Sequence, residues 1–308
     1  MRQCIIAAVN ILHSVLSAVM AFALPVTTMA NGLQTPPSPP AADACPARSL
    51  LLTFDVYRFG EFREQAPIWQ LGDGPAFFFK SGMAIDADGA PNAYNADDTG
   101  LDHLYNAGQP GQWDGIVQDE DGNPLVQGQD DPFPGFYISC TALFDRSKHR
   151  SDPARFVDAS QIPYIALPGD LAARTGAKLG DFAFVYSEQT GRYSLAIFAD
   201  IGAFGEGSIA LADNLGIRSD ARRGGSLAGI SYVVFPGSGD GRPKSVEEIK
   251  RMGGEVLSNW GGAEKILPCA GKNARPIEPQ PEGNDRAAAP AVQQPVSPGR
   301  SASDAAAN

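Results

Sequence analysis

Histidine is scarce in this chain, three in 308 residues, and one of them, His13, lies in an apolar N-terminal run. The other two, His103 and His149, stand at no metal-ligand spacing from a cysteine or from each other, which argues against zinc catalysis. No Gly-x-Ser-x-Gly occurs. The nearest approach, Gly224-Gly225-Ser226-Leu227-Ala228, ends in Ala, so a nucleophile-elbow serine hydrolase is excluded. There is no P-loop, and no Gly-x-Gly-x-x-Gly opens a helix after a strand, so no cofactor is expected. Asp86-Ala87-Asp88-Gly89 lacks the sixth-position Gly and twelfth-position Glu of an EF-hand loop. A turn bearing two carboxylates is its plainer reading, and no metal is expected. Positive charge is short as well: 24 Lys and Arg against 35 Asp and Glu give a net charge of −11.

The two ends of the chain do not belong to a core. Met1 to Ala30 has one basic residue, Arg2, a mostly apolar run from Ile5 to Val26, and the small-residue ending Thr28-Met29-Ala30. It is read as a signal peptide cut after Ala30, the alternative being an uncleaved membrane anchor. The expected location is therefore extracellular or periplasmic, with no membrane contact after cleavage. Residues 31–44, with Pro36-Pro37-Ser38-Pro39-Pro40, read as a linker, and 271–308 as a disordered Pro/Ala-rich tail. This leaves 45–270 as one domain, which itself carries a charge of −11. Such acidity repels nucleic acid and favours a cationic partner. A monomer is expected.

Four cysteines are present, and Cys4 falls within the signal segment. Cys45 and Cys269 stand at the two edges of the domain, where chain ends commonly approach, and are expected to pair. Cys140, in the apolar run Phe136-Tyr137-Ile138-Ser139-Cys140, is expected to pack as a small buried thiol.

What the domain does contain is short β-type runs: Leu51 to Phe59, Ala76 to Ile85, Phe136 to Leu143, Tyr164 to Leu167, Phe182 to Tyr186, Tyr193 to Phe198 and Ile230 to Phe235. Their spacing is too irregular for βαβ crossovers. The capping box Ser245-Val246-Glu247-Glu248 predicts a late helix. Ile209, Leu211, Ala212 and Leu215 could line a second helix ended by Gly216, or a short strand. Between Ala87 and Gly135 a polar, turn-rich stretch reads as one long functional loop. The fold class is mainly β, a single compact barrel with long loops and one or two short helices.

With other chemistries absent, paired carboxylates are the candidate machinery, and these point first to glycoside hydrolysis. Asp200 ends the apolar run Leu195-Ala196-Ile197-Phe198-Ala199, and Glu206 follows in the Gly-rich stretch Gly202-Ala203-Phe204-Gly205-Glu206-Gly207. Apolar neighbours Phe204 and Ile209 would raise the Glu206 pKa, as a general acid requires. Asp200, at a strand end beside a loop, would stay ionised and act as base. Inversion needs the two about 6.5–9.5 Å apart, so a turn at Gly202 must fold the bridge back. Read without this context, both are ordinary turn residues.

Asp200 and Gly205-Glu206-Gly207-Ser208-Ile209 resemble the signature of the family 75 glycoside hydrolases, secreted endo-chitosanases. The resemblance extends through Lys80-Ser81-Gly82-Met83-Ala84-Ile85-Asp86-Ala87-Asp88-Gly89, Phe136-Tyr137-Ile138-Ser139 and Ile162-Pro163-Tyr164, covering Ala76 to Gly237. It implies hydrolysis of β-1,4 links between glucosamine units of chitosan with inversion, and Asp200 and Glu206 as the catalytic positions. Two departures stand out: the bridge is only Ile201 to Gly205, where fungal members have a longer loop, and Ala199 replaces a Gly. The Asp200–Ala212 region also resembles double-psi barrels.

Chitosan is a polycation, so Asp86 and Asp88 read either as an Asp-Gly turn or as binders of substrate ammonium groups. Tyr137 reads as a core aromatic or a sugar platform, and Asp102 as a substrate contact or a helix cap. Two rival functions stand beside chitosan cleavage: hydrolysis of another amino-sugar polymer, and carbohydrate binding without catalysis in a secreted or envelope protein.

Overall fold

The computed structural model describes residues 48–58, 61–271 and 274–277. The expected signal peptide, the linker and residues 278–308 lie outside them. No helix among the described residues is long and apolar enough to cross a membrane.

The chain opens with a hairpin, β1 (Arg48–Arg58) and β2 (Glu61–Leu71). Period-two alternation buries Phe54 and Val56 on one strand and Ala66 and Ile68 on the other, leaving the opposite face to solvent. Strand β2 has no counterpart in the sequence reading, because Glu61, Arg63, Glu64 and Gln65 mask the alternation. β3 (Phe77–Asp86) follows. A long excursion then carries two two-residue strands, β4 (Gly108–Gln109) and β5 (Gln112–Trp113). After it come β6 (Tyr164–Leu167), α1 (Gly169–Thr175), β7 (Phe182–Ser187), β8 (Tyr193–Ile201), β9 (Glu206–Ser208), α2 (Ile209–Leu215) and β10 (Ser226–Val234). The C-terminal helical stretch is α3 (Val246–Glu248), a π-helical turn over Ile249–Gly253, and α4 (Gly254–Trp260).

β3 pairs with β10, β10 with β7, β7 with β8, β8 with β6, β6 with β9, and β9 returns to β3. This closes a six-stranded barrel in a mainly β fold, as expected. Two pairings are parallel, β3–β9 and β6–β8. Alternate residues divide between two cores. One face gathers Phe77, Phe79, Ile165, Val185, Phe198 and Tyr232. The other, with Phe78, Tyr164, Phe184, Ile197 and Val233, packs against the long loop and C-terminal helices through Trp113, Ile116, Ile249 and Leu257.

The capping box is present: Ser245 accepts from Glu248 N, and the Glu248 carboxylate accepts from Ser245 N. α2 is a helix, capped by Ser208 and closed by left-handed Gly216 (φ 67°). The helices outnumber the one or two expected, α1 being too short to carry a helical period.

Three expectations are corrected. Phe136 to Leu143 is not a strand; its neighbours are loop segments, so it makes only isolated bridges, Val126 with Tyr137 and Ile116 with Ser139. Cys140 is buried but is not a free thiol: Cys140 and Cys269 are both disulfide-bonded. Cys45, the expected partner of Cys269, lies outside the described residues. The folded part also runs past Ala270, since Arg275 N donates to Glu188 O at 3.0 Å and Ala274 and Ile277 pack against the core.

Candidate functional site

The placement of Asp200 turns on one extra residue. β6 pairs Ile165 with Phe198 and Ala166 with Asp200, so Ala199 is inserted between the two pairs. In a regular strand residue 200 would share the face of Ala196 and Phe198, which pack in the core opposite Tyr164. The bulge turns Asp200 to the Tyr164 and Ala166 side instead. Leu143 N donates to Ala199 O at 2.8 Å, and Ala142 N to Asp200 Oδ1 at 2.8 Å, seating the long loop on the bulge.

Ala166 is paired on its other side with Glu206 of β9. Asp200 and Glu206 therefore flank Ala166 on one face, two strand spacings or about 10 Å apart between Cα atoms. Beyond Glu206 lies Ala84 of β3, and Asp86, two residues along, shares its face. Three barrel strands thus bring three carboxylates together beneath the long loop, and Asp88 joins them from the turn after β3.

The bridge between the pair folds back as the sequence requires. Gly202 N donates to Leu167 O at 3.2 Å, and the Glu206 carboxylate accepts from Ala203 N at 2.6 Å. A Cβ at residue 202 would collide with Glu206 Oε2, so a side chain there would displace the Glu206 carboxylate. Gly205, at φ 75°, lies against Ser81 and Gly82 of β3, leaving no room for a side chain.

Burial sets the electrostatics. Asp86 is 7% exposed, Asp200 8% and Asp102 4%. Loss of solvent is the leading cause of every shift in the cluster, and mutual repulsion adds to it. Glu206 is pushed up to about 8, by burial and then by the charge of Asp86. Asp86 rises to about 6, with a backbone bond from Asp88 N opposing the rise. Asp88 and Asp200 are both pushed well above the usual range, again by burial first. Among the described residues, no cation lowers these four groups. They cannot all ionise together, and titrate as a set.

Glu206 therefore has the raised pKa expected of it. Asp200 is corrected: expected to stay ionised at its strand end, it is buried, and burial pushes its carboxyl well above the usual range. What favours its ionised form is hydrogen bonding, from Ala142 N and from Ile201 N, each at 2.8 Å.

Asp86, Asp88 and Asp200 each offer a carboxylate oxygen, and these lie within 4.8 Å of one another, the one such group among the described residues. Three hard oxygen donors at that spacing are part of what a divalent cation takes. The sequence expectation of no metal did not foresee this convergence.

The other expected residues divide. Asp102 does not cap the following turn, whose N-cap is His103. Its carboxylate accepts from His103 N at 2.7 Å and from Asn106 Nδ2 at 2.9 Å, and its charge is felt at Asp86 and Glu206. Tyr137 is half-buried, packs against the outer core and lies 6.3 Å from the Trp113 ring, a structural position. Sequence reasoning missed Tyr94, which donates to Asp88 Oδ1 at 2.6 Å, and Tyr164, which donates to Asp88 O at 3.0 Å. It also missed Gly115, where a Cβ would press on the Asp88 carboxylate at 2.7 Å. Only the resemblance through Ile162-Pro163-Tyr164 touched any of these.

Searches against protein-family models and curated protein sequences return no match to this chain.

Proposed function

We propose that this protein is a secreted glycoside hydrolase that cleaves β-1,4 links of chitosan by inversion, with Glu206 as general acid and Asp200 as general base. The observation that carries the reading is the alignment of the two carboxylates on either side of Ala166, with Glu206 raised to about 8. At neutral pH Glu206 then holds a proton that it can give to the departing glycosidic oxygen. Asp200 takes a proton from a water that attacks the anomeric carbon from the opposite side of the ring. The two residues stand about 10 Å apart between Cα atoms, and the water requires their carboxyl groups to be held about 6.5–9.5 Å apart.

The substrate itself completes the electrostatics. A free site with several carboxylates and no cation retains protons. An ammonium group of glucosamine placed against Asp86 or Asp88 supplies the missing positive charge, which lowers the pKa of Asp200 and favours its ionised form. Amino-sugar polymers are thereby preferred to neutral glycans. The resemblance to family 75 chitosanases points the same way.

The test is incubation with chitosan and with chitin, followed by proton NMR of the first products. The expected result is reducing ends from chitosan, released initially as the α-anomer. Cleavage of chitin alone would move the substrate to another amino-sugar polymer, and binding without cleavage would make the protein a carbohydrate-binding one.

A further inference from the structure

Tyr105 is 68% exposed, yet its position is tightly determined. Its ring stacks on His103, centroids 5.0 Å apart and planes 15° from parallel. His103 Nδ1 lies 3.1 Å from Arg222 Nη1 and 3.4 Å from Asp98 Oδ2. Arg222, from the segment between α2 and β10, also donates to Gly100 O, Asp98 O, Asp98 Oδ1 and Asp102 O, between 2.7 and 3.1 Å. Both neighbours of Tyr105 are fixed as well. Leu104 N donates to Asp98 Oδ1 at 2.8 Å, and Asn106 grips both oxygens of Asp102 at 2.9 Å. Asp98 has the sole left-handed non-glycine backbone among the described residues, φ 50°. Such a conformation persists where surrounding bonds over-determine it.

This bonding presents a residue that is itself mostly in water. It holds one aromatic face flat, with His103 behind it and solvent before it. Asp102, three residues earlier, donates its backbone N–H to Ala93 O at 3.2 Å, and the residue after Ala93, Tyr94, donates to Asp88 Oδ1 at 2.6 Å, so the turn that carries the aromatic is bonded to the segment that holds the carboxylate cluster. A pyranose presents a face of C–H bonds that packs on an aromatic ring. A ring already immobilised loses little further freedom when the sugar arrives.

We infer that Tyr105 is a stacking platform for a pyranose unit of the polysaccharide, held in place by the Arg222–Asp98–His103 cluster. The inference rests on the carboxylate cluster being a glycan site. It adds a sugar-binding position on the long loop that covers the carboxylate cluster.

The test uses the full chain and a hexamer of β-1,4-linked glucosamine. In a Glu206→Gln background, calorimetry measures binding with Tyr105 intact, with Tyr105→Ala and with Tyr105→Trp. The expected loss for Ala is about tenfold, with Trp restoring affinity. In the active protein, Tyr105→Ala should raise KM on long chitosan by a similar factor and leave kcat within about twofold. The exposed position keeps the fold intact, which circular dichroism checks. Turnover of chitosan with binding and KM unchanged in Tyr105→Ala would overturn the platform and leave the hydrolase reading standing. Weakened hexamer binding in a protein that never turns chitosan over would do the reverse. Failure of the parent to bind or cleave the hexamer would remove both.

Discussion

Replacing Glu206 by Gln should make the protein more stable at neutral pH while abolishing catalysis. The ordinary Glu pKa is 4.5, and in the fold it is pushed up to about 8. Across that interval the native state binds the proton more tightly than the unfolded chain, so stability falls as pH rises from about 4.5 to about 8. Each pH unit inside the window costs about 1.36 kcal/mol, which sets an upper bound of about 3 kcal/mol at pH 7. Gln carries no charge and keeps an oxygen to accept from Ala203 N. It also relieves the repulsion that Glu206 exerts on Asp88 and Asp200. Against this, its amide N–H groups need acceptors in a partly buried site, so the expected net gain is about 1–3 kcal/mol at pH 8. For a domain of this size that raises Tm by about 2–4 °C per kcal/mol. Thermal melts of both proteins from pH 4.5 to 8 measure it. The difference should be near zero at pH 4.5 and grow with pH. A difference independent of pH, or a mutant less stable at pH 8, would refute the argument that burial holds Glu206 protonated.

Three further outcomes follow from the same geometry. Gly202→Ala places a methyl against Glu206 Oε2 and 3.0 Å from Ala166 Cβ; displacing the acid should lower kcat on chitosan about 10- to 100-fold, and an unchanged kcat would show that the returning bridge is not needed. Chelation with EDTA should leave chitosan cleavage unchanged; loss of activity restored by calcium would reassign Asp86, Asp88 and Asp200 to a cation. Thiol titration of the unfolded, unreduced protein should find Cys140 and Cys269 unreactive; a reactive Cys140 would contradict the disulfide-bonded state described for it.

The barrel was legible because its strands are rich in aromatic and branched residues bounded by turns, and β6, Tyr164–Leu167, lies where its sequence placed it. β2 was hidden, because a strand with one solvent face and four charged or amide residues at its start resembles a loop. The run Phe136 to Leu143 misled in the opposite direction: its apolar residues serve a small cluster of Val117, Ile138, Cys140 and Phe156 inside the long loop. In the site, Asp200, Glu206, Asp86 and Asp88 were found from a local motif. Their convergence was not, since it depends on the Ala199 bulge and on β9 pairing with both β6 and β3. Tyr94, Gly115 and Arg222 act across separations of 6, 27 and 124 residues from their partners Asp88 and Asp98, a range over which no spacing rule operates.

The central claim is that Asp200 and Glu206 together break the glycosidic bond. Reducing-end release from chitosan by the parent protein, Asp200→Asn and Glu206→Gln, each verified as folded, tests it most directly. The expected result is release by the parent and loss of it in both variants. Full activity in either variant would contradict the assignment.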